Sequence, residues 1–425
     1  MEVIKIQGGQ PLSGTINISG AKNAVVALIP AAILSNDIVE INNVPNISDV
    51  KSLCEILEFL NIKHTSNADK MLIDTKNMEN KPIPESIAKK LRASYYFMGA
   101  LLAKYKKVEI SFPGGCNIGT RPINIHLDGF KKLGANIIED GDKYIITAEK
   151  LKGSNIYLDI ASVGATINIM LAATMAEGTT IIENAAREPE IINVATFLNS
   201  MGAKITGAGT NEIKIKGVKK LKKGFTEVIP DRIEAGTYTI IGALLGNNLK
   251  IENIIPEHIQ ALTAKLLECG ANIEILEDSI ICNPYKKLIK TNITTYYYPG
   301  FPTDLQQPFM TFLTQCKGTS IIEENIYENR FMQVPYLNKM GAEITTKGKK
   351  ARVKGATKLT GKKVKATDLR AGAAMVIAGL IAENKTTIEN VEHILRGYEG
   401  IVDKLKNVGA NIELKENNKK TCQNK

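Results

Sequence analysis

The segment FPGGCNIGTRPINIH, residues 112–126, holds the side chains best suited to chemistry: Cys116 lies among Gly114, Gly115 and Gly119, five residues before Arg121. A thiol near a guanidinium ionises more easily than a free one, and the thiolate is the reactive form. The bland alternative is an inert loop cysteine, and on residue types alone the two readings stand level. Other cations recur along the chain: Lys22 beside Asn23 in SGAKN, Arg92 in LRAS, Arg330 in YENRFM, Arg370 in ATDLRAG and Arg396 in HILRGYEG. Carboxylates accompany them: Glu188 and Glu190 in AAREPEI, Asp231 in PDRIEAG, Asp304 in FPTD and Glu328 beside Arg330. Neighbouring opposite charges usually form weak surface pairs. Here they recur at two positions of a repeating pattern, at helix starts and in the loops after strands, which favours a role with small anions.

That pattern is the organising feature of the chain. A Gly-Ala-x-Ile signature closes an amphipathic helix at Gly134, Gly202, Gly270, Gly341 and Gly409, and a degenerate first copy, LNIKH, puts Asn61 at the glycine position. Successive copies are 73, 68, 68, 71 and 68 residues apart. Upstream of each stands a strand of related sequence: VEINNV, VEISFP, TIIENA, KIENII, SIIEEN and TTIENV. Before each strand comes a small-residue helix that is apolar all round, such as NAVVALIPAAIL or RAGAAMVIAGLIAE. Such helices should be buried, with the amphipathic ones covering the outside. Each glycine should supply the left-handed residue that ends its outer helix.

The sixth unit stops at GANIELKE without the strand and turn of its siblings, and IKIQGGQPLSG at the chain start parallels VKGATKLTG near residue 360. Residues 1–21 are therefore expected to complete the C-terminal half. This gives an inserted domain of 22–229 and a discontinuous one of 1–21 plus 230–425, with the tail fraying from about Lys415. The buried helices begin at Lys22 and Asn23, Arg92, Ser162, Asp231 and Arg232, Asp304, and Asp368 and Arg370. Helix N-termini attract phosphates and carboxylates. N-capping accounts for Ser162 and Asp304, but not for Lys22, Arg92 and Arg370, which oppose the dipole. His126 and His393 read as structural or supporting groups.

A chain of 425 residues, 44% apolar with 5% aromatics and no Trp, suits two globular domains. The net charge of +10 comes from scattered lysines without interleaved aromatics, which argues against nucleic-acid binding. Six cysteines at no ligand spacing and four histidines give no metal site. The strand-like opening MEVIKIQGG shows no secretory leader, and apolar runs are too short to insert in a membrane. A cytoplasmic protein with reduced thiols is expected.

ISGAKNA, LRAS, PGGCNIGTRP, SVGAT, IIENAAREPEI, PDRIEAGT, FPTDLQ, YENRFM, ATDLRA and RGYE occur in that order. With them the chain resembles, over essentially its whole length, the UDP-N-acetylglucosamine 1-carboxyvinyltransferases of the enolpyruvyl transferase family. The resemblance implies two inside-out α/β barrels of three repeats each, with the active site in the cleft between domains. It implies transfer of the enolpyruvyl group of phosphoenolpyruvate to the 3-hydroxyl of UDP-N-acetylglucosamine, the first committed step of peptidoglycan synthesis, without metal or cofactor. Lys22, Asn23, Arg121 and Arg396 would then contact phosphoenolpyruvate. Arg92, the run Arg121, Pro122, Ile123, Asn124 and Ile125, and the run Ala161, Ser162, Val163 and Gly164 would take the nucleotide sugar. Asp304 and Ile326 would meet the sugar, with Glu188 and Asp231 nearby, and Arg330 and Arg370 would serve the carboxylate. Asp304 would be the base and Cys116 the acid for the methylene carbon. Ile160 stands where the family often has lysine, and Asn124 where Asp is frequent, so a diphosphate contact is lost and uracil recognition leans on backbone groups. The sister reaction on shikimate 3-phosphate is the alternative; PGGCNIGTRP and SGAKNA argue against it.

The resemblance adds that fosfomycin, a phosphonate epoxide, alkylates the lid cysteine of this family. Mass spectrometry after treatment should find one adduct, on the peptide containing PGGCNIGTRP, formed faster with saturating UDP-N-acetylglucosamine. An adduct on Cys54, Cys269, Cys282 or Cys316 instead would remove Cys116 from the mechanism.

Overall fold

A computed structural model describes residues 2–112 and 123–416. The chain divides into two compact units, Ser19–Asp231 and Met1–Ile18 with Arg232–Lys425. Among the described residues each unit has three sheets, five of the six being four-stranded and one three-stranded. The I-E-N strands take inner positions: Ile38–Asn42, Thr179–Glu183, Gly246–Glu252, Gly318–Glu323 and Lys385–Glu389 each lie between a parallel and an antiparallel neighbour. Alternate residues of these strands are buried, so one sheet face packs inward and the other meets water.

Behind the sheets lie the apolar helices Lys22–Ala32, Tyr96–Tyr105 and Val163–Ala173 in one unit, and Arg232–Leu245, Thr303–Leu313 and Leu369–Ile381 in the other. They are buried almost throughout because their one charge beyond the first turn is Lys104, whose ammonium donates to the Ile33 and Ser35 carbonyls at 2.7 and 2.6 Å. Within the second unit the three pack on one another. Helices inside and sheets outside is the inside-out α/β arrangement.

Three repeats are simple parallel β-α-β crossovers: Asn155–Tyr157 to Thr179–Glu183, Ile293–Thr294 to Gly318–Glu323, and Lys363–Lys365 to Lys385–Glu389, each around one buried helix. At the two unit crossings the first strands are exchanged. Leu12–Asn17 precedes the Lys22–Ala32 helix but pairs with Gly246–Glu252, whereas Phe225–Glu227 precedes Arg232–Leu245 but pairs with Ile38–Asn42. Glu2–Gln7 completes the sixth sheet, lying antiparallel between Lys385–Glu389 and Asn411–Glu416. That pairing runs through Val3↔Lys415 and Glu2↔Glu416, so the fraying expected at Lys415 does not begin there. Residues 417–425 lie outside the described residues.

The five signature glycines have φ between 88° and 109°, and Asn61 takes φ 59° in the degenerate copy. Asn tolerates this left-handed region better than other side chains, so the repeat keeps its turn after losing its glycine. A second left-handed site was not foreseen. Asn184, Asn253 and Asn390, which follow the I-E pairs, and Asn43, which follows Ile41-Asn42, have φ of 53–60°. Three of them donate Nδ2–H at 2.7 Å to the carbonyl just past the parallel strand, that of Val228, Leu158 or Ile18. These bonds tie each short parallel strand to its neighbour.

Ile6 is fully buried in the core of the second unit, opposite Thr386 and Ile412. Ile6→Ala should cost about 2–5 kcal/mol, and hydrogen exchange should show the loosening concentrated in residues 232–416. Unchanged protection there would show that the N-terminal strand contributes nothing to that unit.

Candidate active-site clusters on the two units

In the Ser19–Asp231 unit, the Lys22–Ala32 helix follows Ala21, which has no side chain able to cap it. Asp231 supplies the cap from the far end of the unit, its Oδ2 accepting from the Lys22 amide at 3.0 Å. The Lys22 ammonium pairs with Asp49 Oδ2 at 3.2 Å. Two buried carboxylates thus offset a cation that faces a positive helix end. Asn23 is half-buried beside it. Asp49 was missed in the sequence, where Ser-Asp at a helix start signals only a cap.

A second cluster gathers around His126, which is buried on the Asn124–Lys132 helix. Asn168 holds it: Oδ1 accepts from Gly99 N at 2.8 Å, and Nδ2 donates to Tyr95 O at 2.9 Å and meets His126 Nδ1 at 3.0 Å. The first two bonds fix the amide orientation, so Nδ1 is the acceptor and the ring proton sits on Nε2. The Tyr95 ring meets the imidazole edge-on at 4.9 Å. Burial first, and then the Arg92 charge, push the His126 pKa down to about 3, leaving it neutral. Gly164 closes the cluster, because a Cβ there would fall 2.8 Å from Tyr95 Oη and 2.9 Å from His126 Cε1. Ser162 caps its helix as expected, accepting from Ala165 N at 3.2 Å. The structure therefore brings Arg92, Tyr95, His126 and the 162–164 turn together.

Ile123, Ile125, Ala161 and Val163 are half-buried and Asn124 is exposed. Glu188 is buried just before the Pro189–Ser200 helix. Ile160 is 42% exposed, so no ion pair or core contact replaces the lysine common at this position in the resembling family. Cys116, Arg121 and Pro122 lie outside the described residues.

In the other unit Asp304 is not a cap, contrary to the reading that capping accounts for it. It is the second residue of the Thr303–Leu313 helix, which follows Pro302, and its carboxylate points to cations instead. Arg330 Nη2 donates to Oδ1, and Arg370 Nη2 donates to Oδ2 at 3.0 Å. Both arginine side chains are buried, while that of Asp304 keeps 26% exposure. Each guanidinium also lies 5.4 Å from a ring centroid, Arg330 over Tyr327 and Arg370 over Tyr398. Asp368 caps the Leu369–Ile381 helix, its Oδ1 accepting from Arg370 N at 2.8 Å and Ala371 N at 3.0 Å. Arg396 and Ile326 are half-buried. The Ile326 amide donates to Glu324 Oε1 at 2.9 Å, and Glu324 was not singled out in the sequence.

Burial pushes the Cys54 thiol up to about 11 and that of Cys282 up to about 12. The Cys316 thiol is raised further, first by its hydrogen bond with Cys269 and then by burial. These are packing residues, as is the buried Cys269. Among the described residues no group of three His, Cys, Asp or Glu side chains could hold a metal ion. Among them also, no helix is long and apolar enough to cross a membrane.

Residues 6–405 match the family model of EPSP synthase (3-phosphoshikimate 1-carboxyvinyltransferase). The chain is 53% identical over 413 residues to UDP-N-acetylglucosamine 1-carboxyvinyltransferase 2 of Bacillus cereus, covering 97% of this chain and 96% of that one. It is 51% identical over 415 residues to the protein of the same description in Bacillus subtilis, with 97% and 96% covered. Among solved structures it is similar to the enolpyruvyl transferase NikO of Streptomyces tendae, with TM-score 0.88, 25% identity, and 97% and 98% of the two chains covered. An EPSP synthase of Acinetobacter baumannii shares the fold at TM-score 0.75 and 16% identity, over 98% of this chain and 100% of that one.

The His126 environment makes a stability prediction. Its folded pKa lies below the unfolded value of 6.5, so between about 6.5 and 3 only the unfolded state binds this proton. The contribution is whole above that window and is lost as pH falls through it, by up to about 1.4 kcal/mol per unit. Urea unfolding of wild type and His126→Gln from pH 7 to pH 4 should show a shallower fall in the variant. Equal slopes would mean that His126 is not held neutral.

Proposed function

The chain belongs to the EPSP synthase family of carboxyvinyltransferases, and we propose that it transfers the enolpyruvyl group of phosphoenolpyruvate to the 3-hydroxyl of UDP-N-acetylglucosamine, releasing phosphate. This would be the committed step of peptidoglycan synthesis, carried out in the cytoplasm where both substrates are made. The single observation that carries the mechanism is the placement of Asp304, a partly exposed carboxylate between two buried guanidiniums. The names of the relatives supply the acceptor.

Asp304 takes the proton of the acceptor hydroxyl as its oxygen bonds to C2 of phosphoenolpyruvate. Cys116 delivers a proton to C3, giving a tetrahedral adduct that still carries the phosphate. Loss of a proton from C3 and rupture of the C2–O bond to phosphorus then restore the double bond and expel phosphate. Lys22, Arg121 and Arg396 stabilise the leaving phosphate, and fixed cations do this without reorganising at the moment of reaction. Lys22 suits the role because Asp49 and Asp231 hold the start of its helix in place.

Arg330 and Arg370 serve the carboxylate of phosphoenolpyruvate. In the free protein both donate to Asp304, and a base engaged by two cations is a weak base. An arriving carboxylate competes for these guanidiniums and frees the Asp304 lone pairs, so the base strengthens only when substrate is bound. On the other unit Asn23 joins Lys22 at phosphoenolpyruvate, and Arg92 takes the nucleotide sugar, with Ser162, Val163 and Gly164 beside it and Ile123, Asn124 and Ile125 completing recognition. His126 supports that cluster as a neutral group and does not add a charge. Ile326 and Glu188 bound the sugar. No metal or organic cofactor takes part.

The decisive assay is phosphate release from phosphoenolpyruvate that depends on UDP-N-acetylglucosamine, with shikimate 3-phosphate as the control acceptor. Release with the control alone would overturn the reading. Asp304→Asn keeps the shape but removes the base, so kcat should fall at least about 100-fold with KM changed much less. Near-normal turnover in that variant would move the base elsewhere.

A further inference from the structure

The fifth repeat departs from its siblings at one buried position. Four repeats place Asn184, Asn253 or Asn390 after the I-E pair, or Asn43 after the matching Ile41-Asn42, whereas SIIEEN places Glu324 there. The other asparagines lie in the left-handed region, and three of them tie the neighbouring strand through Nδ2. A carboxylate cannot donate that bond. Glu324 is also 1% exposed, and a buried charge is tolerated only when its lone pairs are met by donors.

Four donors meet it. Oε1 accepts from Thr295 Oγ1 at 2.8 Å, from Ile326 N at 2.9 Å and from Tyr327 N at 3.2 Å, while Oε2 accepts from Thr303 Oγ1 at 2.9 Å. The Thr295 bond keeps the ancestral task, since Thr295 follows the Ile293–Thr294 strand. The other three do something the asparagines do not. Thr303 is the first residue of the helix whose second residue is Asp304, and Pro302 before it makes no capping bond. Tyr327 lies under the Arg330 guanidinium, and Arg330 donates to Asp304. The links therefore close a ring: Glu324 to Thr303 and Asp304, on to Arg330 and Tyr327, and back to Glu324.

We propose that Glu324 is a positioning residue for the transfer: its carboxylate locks the start of the Asp304 helix to the Ile326–Tyr327 turn, and so sets the base against the acceptor hydroxyl. The inference rests on Asp304 being that base. Glu324 itself is buried and touches no substrate; its effect is geometric. A reacting group misplaced by about 1 Å can lose on the order of 100-fold in rate. A ring of hydrogen bonds closed by one cation–π contact, on a turn and a helix start, prevents that displacement, with the anion also favourably placed near a helix N-terminus.

The test compares steady-state kinetics of wild type, Glu324→Ala, Glu324→Gln and Thr303→Val, each checked for folding by thermal denaturation. Glu324→Ala should lower kcat about 30- to 100-fold, with KM for phosphoenolpyruvate within about threefold. Glu324→Gln should restore turnover to within about threefold of wild type, because Oε1 still accepts from Thr295 and the two amides while Nε2 donates to Thr303. Thr303→Val, which cuts only the link to the Asp304 helix, should lower kcat about tenfold. In an Asp304→Asn background, Glu324→Ala should cost no more than about a further twofold. A purely structural role would lower the melting temperature and leave kcat of the folded protein intact, which overturns the proposal; so do losses that multiply in the double variant. If Glu324→Ala does not fold, Thr303→Val decides, and wild-type kcat in it is an overturning result. Failure of the transfer itself appears in the wild type as absent phosphate release, whereas failure of this inference appears only in the variants.

Discussion

A helix buried along its whole length carries its charges near its ends, and among the described residues six such helices run through this protein. Their bodies are built mainly from Ala, Ile, Leu, Val, Met, Phe and Gly, and several interior polar side chains, such as Asn168 and Thr237, are tied into hydrogen bonds. The helix starts must then satisfy orphan amides and host whatever chemistry the protein performs. Both demands meet in the same residues. Asp231 caps the helix of Lys22, and Asp368 caps that of Arg370, so the acids that make the helices possible also hold the cations in place.

The burial of Arg330 and Arg370 illustrates the cost of this plan. Removing a charge from water is unfavourable by several kcal/mol, and only good pairing returns it. Here one carboxylate serves two guanidiniums, and each guanidinium also has an aromatic face. The proposed role of this cluster with an anionic substrate rests on that charge arrangement. The neutral His126 follows the same economy on the other unit, since a protonated ring beside Arg92 would add an uncompensated charge.

Repetition makes the departures legible. Asn61 replaces a glycine and keeps the left-handed turn, so there the change is silent. Glu324 replaces an asparagine and reverses the sense of the hydrogen bonding, from donor to acceptor, in the repeat that bears Asp304. The exchange of first strands at the unit crossings is another departure, and it pairs Leu12–Asn17 and Phe225–Glu227 into sheets of one unit while the helices that follow them belong to the other.

By itself the sequence determined the six-fold repeat, the burial of the all-apolar helices, the left-handed glycines and the list of candidate side chains. These follow from local rules: hydrophobic period, helix termination and residue type act over a few residues and can be read along the chain. It also marked Glu2–Gln7 as a strand in need of a partner, because the sixth repeat lacked one. Only the tertiary structure decided which charges neutralise which. Asp304 looked like a cap and is an ion-pair partner, while Asp49, which holds Lys22, and Glu324 drew no attention at all. The separations explain the difference: Lys22 and Asp231 are 209 residues apart, Asp304 and Arg370 are 66 apart. Electrostatic partners are chosen by distance in space, and that distance exists only after the sheets have paired and the helices have been buried.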